Sequence, residues 1–467
     1  MATDIKSIID HRIIENTLET TRNTPRQEVD RIIEKSLEMK GLKFEEIACL
    51  LNTDDEQAEQ KLFDAANRLK NLIYGDRLVL FAPLYISNIC YNDCAYCAFR
   101  VSNRELTRKA LSQEEIEHEV KTLIDQGHKR LLMVAGEAFP RDEGFDFILK
   151  SIDTIYRTKS NNGEIRRLNV NIAPIEIEQF KALKAKGIGT YQLFQETYHL
   201  PTYKKVHLSG KKRDYYKRLE AIDLAFQAGI DDVGLGVLFG LYDYRYETLA
   251  LMQHIKHLED TFGVGCHTIS VPRIEPAEGS PMSIQPPAPL SDREFKKLIA
   301  ILRLAVPYTG IILSTRETPE ARRGAFALGI SQISAGSRTN PGGYAEDGEG
   351  KNCAQFSLGD HRSLDEVIRD ISSLGYIPSF CTACYRLGRT GMDFMDMAKP
   401  GEIKYHCSPN AISTFMEYLL DYASEETKKV GMNLIEQKLK DSADERWKNI
   451  AKVLIEQVKN GKRDCFV

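Results

Sequence analysis

The sequence predicts an α/β protein built on a complete parallel (β/α)8 barrel, with helices before the barrel and a mainly helical domain after it. Three observations predict this fold. The 467 residues suffice for one large domain with appendages. Through the middle of the chain, short runs rich in β-branched residues alternate with amphipathic segments, which is typical of βα units. Several of those segments begin with Ser or Asp and end with Gly, as helices do.

The first 76 residues are predicted to form an amino-terminal helical extension. Apolar residues recur at helical spacing through EVDRIIEKSLEMKGL, EEIACLL and AEQKLFDAANRLKNLIYG. The opening residues show no basic segment followed by an apolar one, and no window is long and uncharged enough to span a bilayer. We therefore expect neither a secretion signal nor a membrane segment.

The barrel is predicted to occupy residues 77–340. Its eight strands are expected at RLVLFAPLYI, KRLLMVAGE, RLNVNIAP, GTYQLFQET, DDVGLGVLFG, HTISVPRIEP, TGIILSTRE and ISQISAG. Helix-like segments such as SQEEIEHEVKTLIDQG and SDREFKKLIAILRLA separate them. A partial barrel of six strands is the alternative, but the last two runs are as strand-like as the others, which favours eight.

Residues 341–467 are predicted to form a separate carboxy-terminal domain. It opens with a Gly- and charge-rich loop, PGGYAEDGEGKNC, followed by a helix at HRSLDEVIRDISSLG. A cysteine-containing segment comes next, and helices then continue nearly to the end of the sequence.

Composition narrows the class of protein. Hydrophobic residues make up 42% of the chain, charged residues 28%, and the net charge is −4. These values describe a soluble globular protein and give no sign of binding to nucleic acid or to an anionic membrane. The ten cysteines are clustered, which indicates metal ligands in a reducing cytoplasm rather than a secreted disulfide scaffold.

The first cysteine cluster is a Cys-x3-Cys-x2-Cys run that directly follows the first predicted strand. Its members are Cys90, Cys94 and Cys97. Three thiolates can hold three corners of a 4Fe–4S cluster and leave the fourth iron open for a substrate or cofactor. A zinc site with a remote fourth ligand, or three buried thiols, is the alternative, although a gap of three residues is unusual for zinc.

A second cysteine set has the spacing Cys-x2-Cys-x22-Cys and consists of Cys381, Cys384 and Cys407. The alternative is a zinc site with His406 as the fourth ligand, but His406 is adjacent to Cys407, which makes joint chelation awkward. We therefore favour a second three-cysteine iron–sulfur cluster. The remaining cysteines are expected to be ordinary thiols: Cys49, Cys266, Cys353 and Cys465.

Several other residues are expected at the upper face of the barrel, where the carboxyl ends of the strands meet. Gln192 and Glu196 alternate onto one face of the fourth strand. Arg273 and Arg316 follow the sixth and seventh strands, and a guanidinium is a natural anchor for an amino-acid carboxylate, although buried arginines in barrels are often structural ion pairs. Tyr85, on the first strand, could face the same cavity or the core.

The first cysteine run closely resembles the signature of the radical S-adenosylmethionine (SAM) superfamily. The resemblance implies that SAM binds the open iron and that the reduced cluster cleaves it to a 5′-deoxyadenosyl radical. It also implies SAM contacts, residue by residue. Tyr96, Gly236 and Gly240 would lie near the adenine. Gly136 and Glu137, in an Ala-Gly-Glu version of the family's Gly-Gly-Glu element, would lie near the methionine ammonium. Glu196 would lie near the ribose and Arg218 near the carboxylate.

The two cysteine sets together resemble the HydG-type tyrosine lyases that mature FeFe-hydrogenase, as do HTISVPR, YTGIILSTRE and PSFCTACYRLGRTG. The resemblance implies that L-tyrosine is cleaved at Cα–Cβ to p-cresol and a dehydroglycine-type fragment, which yields CO and cyanide. Both would be captured on an additional labile iron, held at the carboxy-terminal cluster by a cysteine-like bridging ligand and by His267, at the lower rim of the barrel. Expected partners are hydrogenase or other maturation proteins and a reductant such as ferredoxin or flavodoxin.

Three alternatives remain open. The tyrosine lyase of thiazole biosynthesis, a 2-iminoacetate synthase, shares the barrel and substrate but lacks the second cysteine set. A non-catalytic iron–sulfur assembly scaffold would not need Gly136, Glu137 and Arg218. Sulfur insertion of the biotin-synthase type would consume the second cluster and would form no cyanide.

Overall fold

The centre of the molecule is a closed barrel of eight parallel strands. The structure is a computed structural model that describes residues 4–140, 142–345 and 353–467. Each strand pairs with its neighbours in chain order, and β8 pairs with β1 to close the barrel. The strands are β1 Arg77–Ser87, β2 Arg130–Ala135, β3 Arg167–Asn171, β4 Tyr191–Glu196, β5 Val233–Val237, β6 Thr268–Ser270, β7 Gly310–Leu313 and β8 Gln332–Ser334. The prediction of eight strands rather than six is therefore confirmed.

The helices that follow the strands cover the outside of the barrel. A strand that is buried on both faces has a nearly continuous apolar sequence. This is the case for β1 and β5, which are buried along almost their whole length. Capping boxes at Ser112 and Ser291 start two of these helices where the sequence predicts them. The helices in this region are α5 Gln113–Asp125, α6 Asp146–Arg157, α7 Ile177–Ala185, α8 Leu200–Val206, α9 Tyr215–Gln227, α10 Tyr244–Phe262, α11 Pro281–Ile284, α12 Asp292–Ala305 and α13 Pro319–Phe326.

Four amino-terminal helices pack against one side of the barrel. They are α1 His11–Thr20, α2 Arg26–Ser36, α3 Phe44–Asn52 and α4 Glu56–Ile73. The helix α4 lies on α12, and α1 and α3 lie on α10. Asp10 and Asp55 cap α1 and α4 by accepting hydrogen bonds from backbone N–H groups. The extension thus shares one apolar core with the barrel.

The carboxy-terminal region adds a ninth strand and six helices. Its elements are α14 Leu364–Ser373, β9 Ile377–Ser379, α15 Ala383–Arg386, α16 Gly391–Ala398, α17 Lys404–Asp421, α18 Glu425–Asp441 and α19 Glu445–Lys459. The strand β9 pairs in parallel with the start of β1, from Arg77 opposite Ile377 to Val79 opposite Ser379. This strand is absent from the sequence prediction, because three residues that include a proline carry no recognisable strand pattern.

Part of the predicted Gly- and charge-rich loop at 341–353 lies outside the described residues. Across the described ranges, no helix has the length and apolar character needed to cross a membrane.

Candidate active site with two cysteine-lined cavities

The upper end of the barrel holds a cavity of about 200 Å³ lined by the first three cysteines. Cys90, Cys94 and Cys97 come from the loop after β1, and this loop is held by a short antiparallel ladder in which Cys94 pairs with His207. Burial raises the pKa of Cys90 to about 11, and it also raises the pKa values of the other two thiols. All three are free, and the described lining contains no fourth cysteine. Three convergent thiols fit a cluster with one open iron.

A buried group of charges stands beside these thiols. Glu137, just after β2, accepts a hydrogen bond of 2.7 Å from Nη1 of Arg218. Glu196, at the end of β4, accepts one of 2.7 Å from Nζ of Lys212, which also lies 3.6 Å from Glu137. Burial alone would raise the pKa of Glu137, but Arg218 and Lys212 outweigh this effect and hold it at about 2. The structure thus brings three predicted residues together and adds Lys212, which no motif indicated.

Gly136 lets the end of β2 touch the cysteine loop. A Cβ atom at this position would lie 2.3 Å from the backbone oxygen of Ile89. The side-chain amide of Asn92 in the same loop donates to Glu137 at 2.8 Å. The Ala135-Gly136-Glu137 element is therefore fixed against the loop that carries the thiols.

The predicted aromatic and amide groups also line this cavity. The hydroxyl of Tyr96 lies 2.8 Å from Nε2 of His207, and Gln192 projects from β4 into the cavity. Gly236 and Gly240, which are expected near an adenine, lie close to side chains that line this cavity. Gly236 is approached by the Phe194 ring and Gly240 by Ile274, so both accommodate protein side chains.

Tyr85 and Arg316 lie near each other in the lining of the same cavity. The Tyr85 hydroxyl donates to Oε1 of Gln355 at 2.7 Å, and the amide nitrogen of Gln355 lies 3.8 Å from the sulfur of Cys97. The guanidinium of Arg316 is stacked on Phe356, 3.3 Å from the ring centre. Gln355 and Phe356 were missed at the sequence level because they lie in a loop without a motif.

Arg273 does not line the cavity, contrary to the expectation that it could anchor a substrate. Its guanidinium forms a bidentate ion pair with Glu317 and also donates to Asp292 at 2.7 Å. Two carboxylates therefore neutralise and hold this arginine outside the lining. Arg316 has no carboxylate partner among the described residues and is the arginine available to a ligand.

The lower end of the barrel holds a second cavity of about 50 Å³, lined by Cys381, Cys384 and Cys407. A hydrogen bond from the thiol of Cys384, with the positive charges of Arg77, Arg389 and Arg130, holds the pKa of Cys407 at about 6 despite burial. The same hydrogen bond to Cys407, with burial, raises the pKa of Cys384, and burial raises that of Cys381, so the thiolate, the form that binds metal, is favoured at Cys407.

His267 lies directly before β6 and lines the lower cavity, whereas His406, the alternative zinc ligand, is not among its described lining residues. The Nε2 atom of His267 is 2.9 Å from the hydroxyl of Tyr385. Burial, then the charges of Arg167 and Arg130, hold the pKa of His267 well below its ordinary value. The imidazole is therefore neutral, as a metal ligand must be.

The two cavities are consecutive along the same inward strand faces. Phe81, Ile312 and Ser334 line the upper cavity. The residues two positions earlier in the same strands line the lower one: Val79, Gly310 and Gln332. One pleat repeat, about 6.6 Å at the usual strand rise, separates the two rings of side chains.

Comparisons with known proteins agree with this architecture. Residues 84–255 match the radical SAM superfamily, and residues 270–377 match the Biotin and Thiamin Synthesis associated domain. The 2-iminoacetate synthase of Salmonella typhimurium is 33% identical over 347 residues, which are 74% of this chain and 89% of that enzyme. The radical SAM match implies SAM and a 4Fe–4S cluster as cofactors.

Two solved structures extend the similarity over the carboxy-terminal region. A crystal structure of HydG, a maturase of the FeFe-hydrogenase, is 50% identical with a TM-score of 0.95, covering 98% of this chain and all of that one. The FeFe-hydrogenase maturase HydG from Carboxydothermus hydrogenoformans is 40% identical with a TM-score of 0.85 at the same coverage. The chain therefore belongs to the radical SAM superfamily and, within it, to the HydG family of FeFe-hydrogenase maturases.

Proposed function

We propose that this protein cleaves L-tyrosine at Cα–Cβ in the upper cavity and assembles an iron unit carrying CO and cyanide in the lower one. The observation that carries the proposal is the pair of three-thiol sets at the two ends of one barrel interior. A lyase that released its fragment to solution would need only the upper set. The lower set, at the other end of the same barrel interior, would provide a place where small products are captured before they escape.

In the upper cavity, the residues of the chain bind and orient. Cys90, Cys94 and Cys97 would hold the cluster, which together with SAM supplies a 5′-deoxyadenosyl radical. Glu137 is ionised and faces the cavity beside Arg218, so this pair suits the ammonium and carboxylate of the SAM methionine.

Arg316 and Tyr85 would position tyrosine in the same cavity. Arg316 offers a bidentate donor for the tyrosine carboxylate, since no described carboxylate neutralises it. Burial raises the pKa of the Tyr85 phenol, which therefore stays protonated and able to donate. These roles assign recognition of the amino-acid substrate to Arg316 and Tyr85, and recognition of SAM to Glu137 and Arg218.

In the lower cavity, Cys381, Cys384 and Cys407 would hold a second 4Fe–4S cluster. The labile iron that receives CO and cyanide is cargo, and neutral His267 is the nitrogen ligand placed to bind it. Cyanide is an anion, and the buried guanidinium groups of Arg130 and Arg167 make this end of the barrel electropositive.

The direct test of the first half is incubation of the reconstituted protein with SAM, dithionite and tyrosine. We expect p-cresol in the products, and its absence would refute the lyase. Tyrosine labelled at its backbone carbons should yield labelled CO and cyanide. Labelled dehydroglycine without either diatomic would instead support the 2-iminoacetate synthase alternative.

The test of the two-site division is the double variant C381S/C384S. We expect it to keep p-cresol formation and to lose the infrared bands of iron-bound CO and cyanide. The matched variant C90S/C94S should lose both products. Loss of p-cresol in the first variant, with its folding intact by circular dichroism, would contradict the division of labour.

A further inference from the structure

An exposed apolar rim surrounds the loop that carries the first cysteines. Its four residues, which we call the rim, are Tyr91, Val101, Leu208 and Ile284, with exposed fractions of 50%, 42%, 46% and 69%. They belong to separate segments that the structure gathers at one place. Solvent-exposed side chains of this size seldom cluster without a partner surface.

Backbone contacts hold these segments against the loop. The N–H of Val101 donates to the backbone oxygen of Asn92 at 2.9 Å. Ser280, the cap of the short helix that contains Ile284, donates through its hydroxyl to the backbone oxygen of Ala95 at 2.7 Å. Leu208 lies in the strand that pairs with Asp93 and Cys94. The segments that carry the rim therefore all contact the loop that holds the thiols.

Positively charged side chains lie next to the rim in the sequence. Four exposed cations, which we call the basic segment, lie on either side of Leu208: Lys204, Lys205, Lys211 and Arg213. None of the four has an ion-pair partner within the described ranges. The segment is fixed to the cysteine loop, because the N–H of Ala95 donates to Val206 O at 2.8 Å and the N–H of Lys212 donates to Oδ1 of Asn92 at 3.0 Å.

The local charge is opposite to that of the whole chain. The net charge is −4, yet the segment from Lys204 to Arg213 contains five cations and no acidic residue. The nearest exposed carboxylate in sequence, Asp214, accepts a hydrogen bond from the N–H of Lys217 as the cap of α9. A partner that recognises this face must therefore present acidic groups around an apolar centre.

We propose that the rim and the basic segment form the docking surface of an acidic electron-carrier protein of the flavodoxin or ferredoxin class. The proposal rests on the proposed function, which requires one electron at the first cluster for each SAM cleavage. A protein reductant is too large to enter the barrel and must dock where the thiols come closest to the surface. The loop meets that condition, since Cys90 and Cys97 are only partly buried and Asp93 of the same loop pairs with the exposed Ser209 next to Leu208.

The electron count of this encounter is simple. A reduced carrier gives up one electron and is oxidised by one electron, and the cluster held by Cys90, Cys94 and Cys97 is the acceptor. No proton or group is transferred between the proteins. A second copy of this chain is a poor occupant of the same surface, because it would bring the same positive charge to the contact.

The test measures binding of an acidic flavodoxin to the full-length, cluster-loaded protein by calorimetry at low and high salt. The test variant is K204E/K205E/K211E/R213E. The matched control reverses four exposed lysines of the carboxy-terminal helices, K429E/K440E/K452E/K459E. We expect the test variant to weaken binding by about tenfold or more and to remove most of the salt dependence, whereas the control binds like the wild type.

A second variant, L208S/I284S, addresses the rim without altering charge. We expect weaker binding with an unchanged salt dependence, since only apolar contact is lost. Dithionite needs no docking surface, so both variants should retain dithionite-driven SAM cleavage while flavodoxin-driven cleavage falls.

The outcomes separate the two proposals. Wild-type protein that binds flavodoxin but forms no p-cresol with dithionite would refute the proposed function alone. Wild-type affinity for flavodoxin in both surface variants, with dithionite-driven cleavage intact, would overturn the docking surface alone. Equal loss of dithionite-driven and flavodoxin-driven cleavage would also overturn it, because the substitutions would then act on the site itself.

Discussion

At the scale of the residue, Gln355 links Tyr85 to the loop that carries the first three cysteines. Its carbonyl oxygen accepts from the Tyr85 hydroxyl, and its amide nitrogen reaches towards Cys97. We predict that Q355L lowers the free energy of unfolding by about 1–3 kcal/mol, because the buried Tyr85 hydroxyl loses its acceptor. It should also raise KM for tyrosine more than it lowers kcat. Calorimetry and p-cresol kinetics measure the two effects.

The double variant Y85F/Q355L provides the control. Removing both partners leaves no unsatisfied hydroxyl, so the double variant should be less destabilised than the sum of the single variants. Additive losses would show that the hydrogen bond between Tyr85 and Gln355 contributes nothing.

Residues within motifs could be placed from the sequence, whereas their partners could not. The cysteine spacings and the Gly136-Glu137 pair are motifs that can be recognised in the sequence itself. Lys212 and Gln355 reach the cavity from loops, where no periodicity reports which way a side chain points. Arg273 and Arg316 occupy equivalent positions after neighbouring strands, and only the location of Glu317 decides which of the two is neutralised.

At the scale of the element, the contact between the end of β2 and the cysteine loop tolerates no side chain at Gly136. We predict that G136A destabilises the protein by about 1–3 kcal/mol, because its Cβ would press on the backbone oxygen of Ile89. The shift of the loop should weaken SAM binding by about tenfold, the equivalent of 1.4 kcal/mol. Calorimetric titration of the reconstituted protein with SAM measures this change.

The neighbouring substitution A135G is the matched control. It restores two consecutive glycines and introduces no atom, so SAM should bind as in the wild type. Wild-type affinity in G136A would show that the close contact with the loop does not position the SAM site.

The junction between α4 and β9 contains a buried lysine. Lys70 is 1% exposed, its ammonium has no hydrogen-bond partner among the described residues, and it lies 4.5 Å from the centre of the Tyr376 ring. Burial lowers the pKa of Lys70 to about 7, although Asp76 opposes the shift. Between pH 7 and the ordinary pKa of about 10.4, the unfolded chain keeps a proton that the folded protein has released, so this lysine makes stability rise with pH.

We predict that K70M removes this slope and stabilises the protein at pH 7 by on the order of a few kcal/mol. Thermal midpoints at pH 7, 8 and 9 would measure both the stability and its dependence on pH. The variant K40M, at the exposed Lys40, is the control. An unchanged pH slope in K70M would show that Lys70 is paired and charged throughout.

The barrel strands and the long helices could be predicted because each follows a period that burial imposes on the sequence. The ninth strand could not be predicted, because its three residues are extended through pairing with Arg77–Val79 and show no strand pattern of their own. This strand matters to the site. It ends two residues before Cys381, and so carries the second cysteine set to the lower rim of the barrel.

At the scale of the whole molecule, the proposed function makes the barrel interior a route for small products as well as a core. Its upper and lower cavities are separated by one layer of side chains, in which the Gln332 amide lies beside Gly310. A closed parallel barrel normally fills such layers with bulky residues. Gly310 and Ser334 are small instead and Gln332 is flexible, so we expect diatomic products, which are far smaller than tyrosine, to pass at this layer.

We predict that Q332F separates the two half-reactions. The rigid ring should fill the passage beside Gly310 and stop transfer between the cavities, while the residues around Glu137 and Arg316 remain in place. Formation of p-cresol should continue, CO should be released into solution where a haem protein can trap it, and the infrared bands of iron-bound CO and cyanide should disappear. The variant Q332A, which widens the same passage, should retain those bands. Iron-bound CO in Q332F at the wild-type level would mean that the fragments reach the lower thiols by a path outside the barrel.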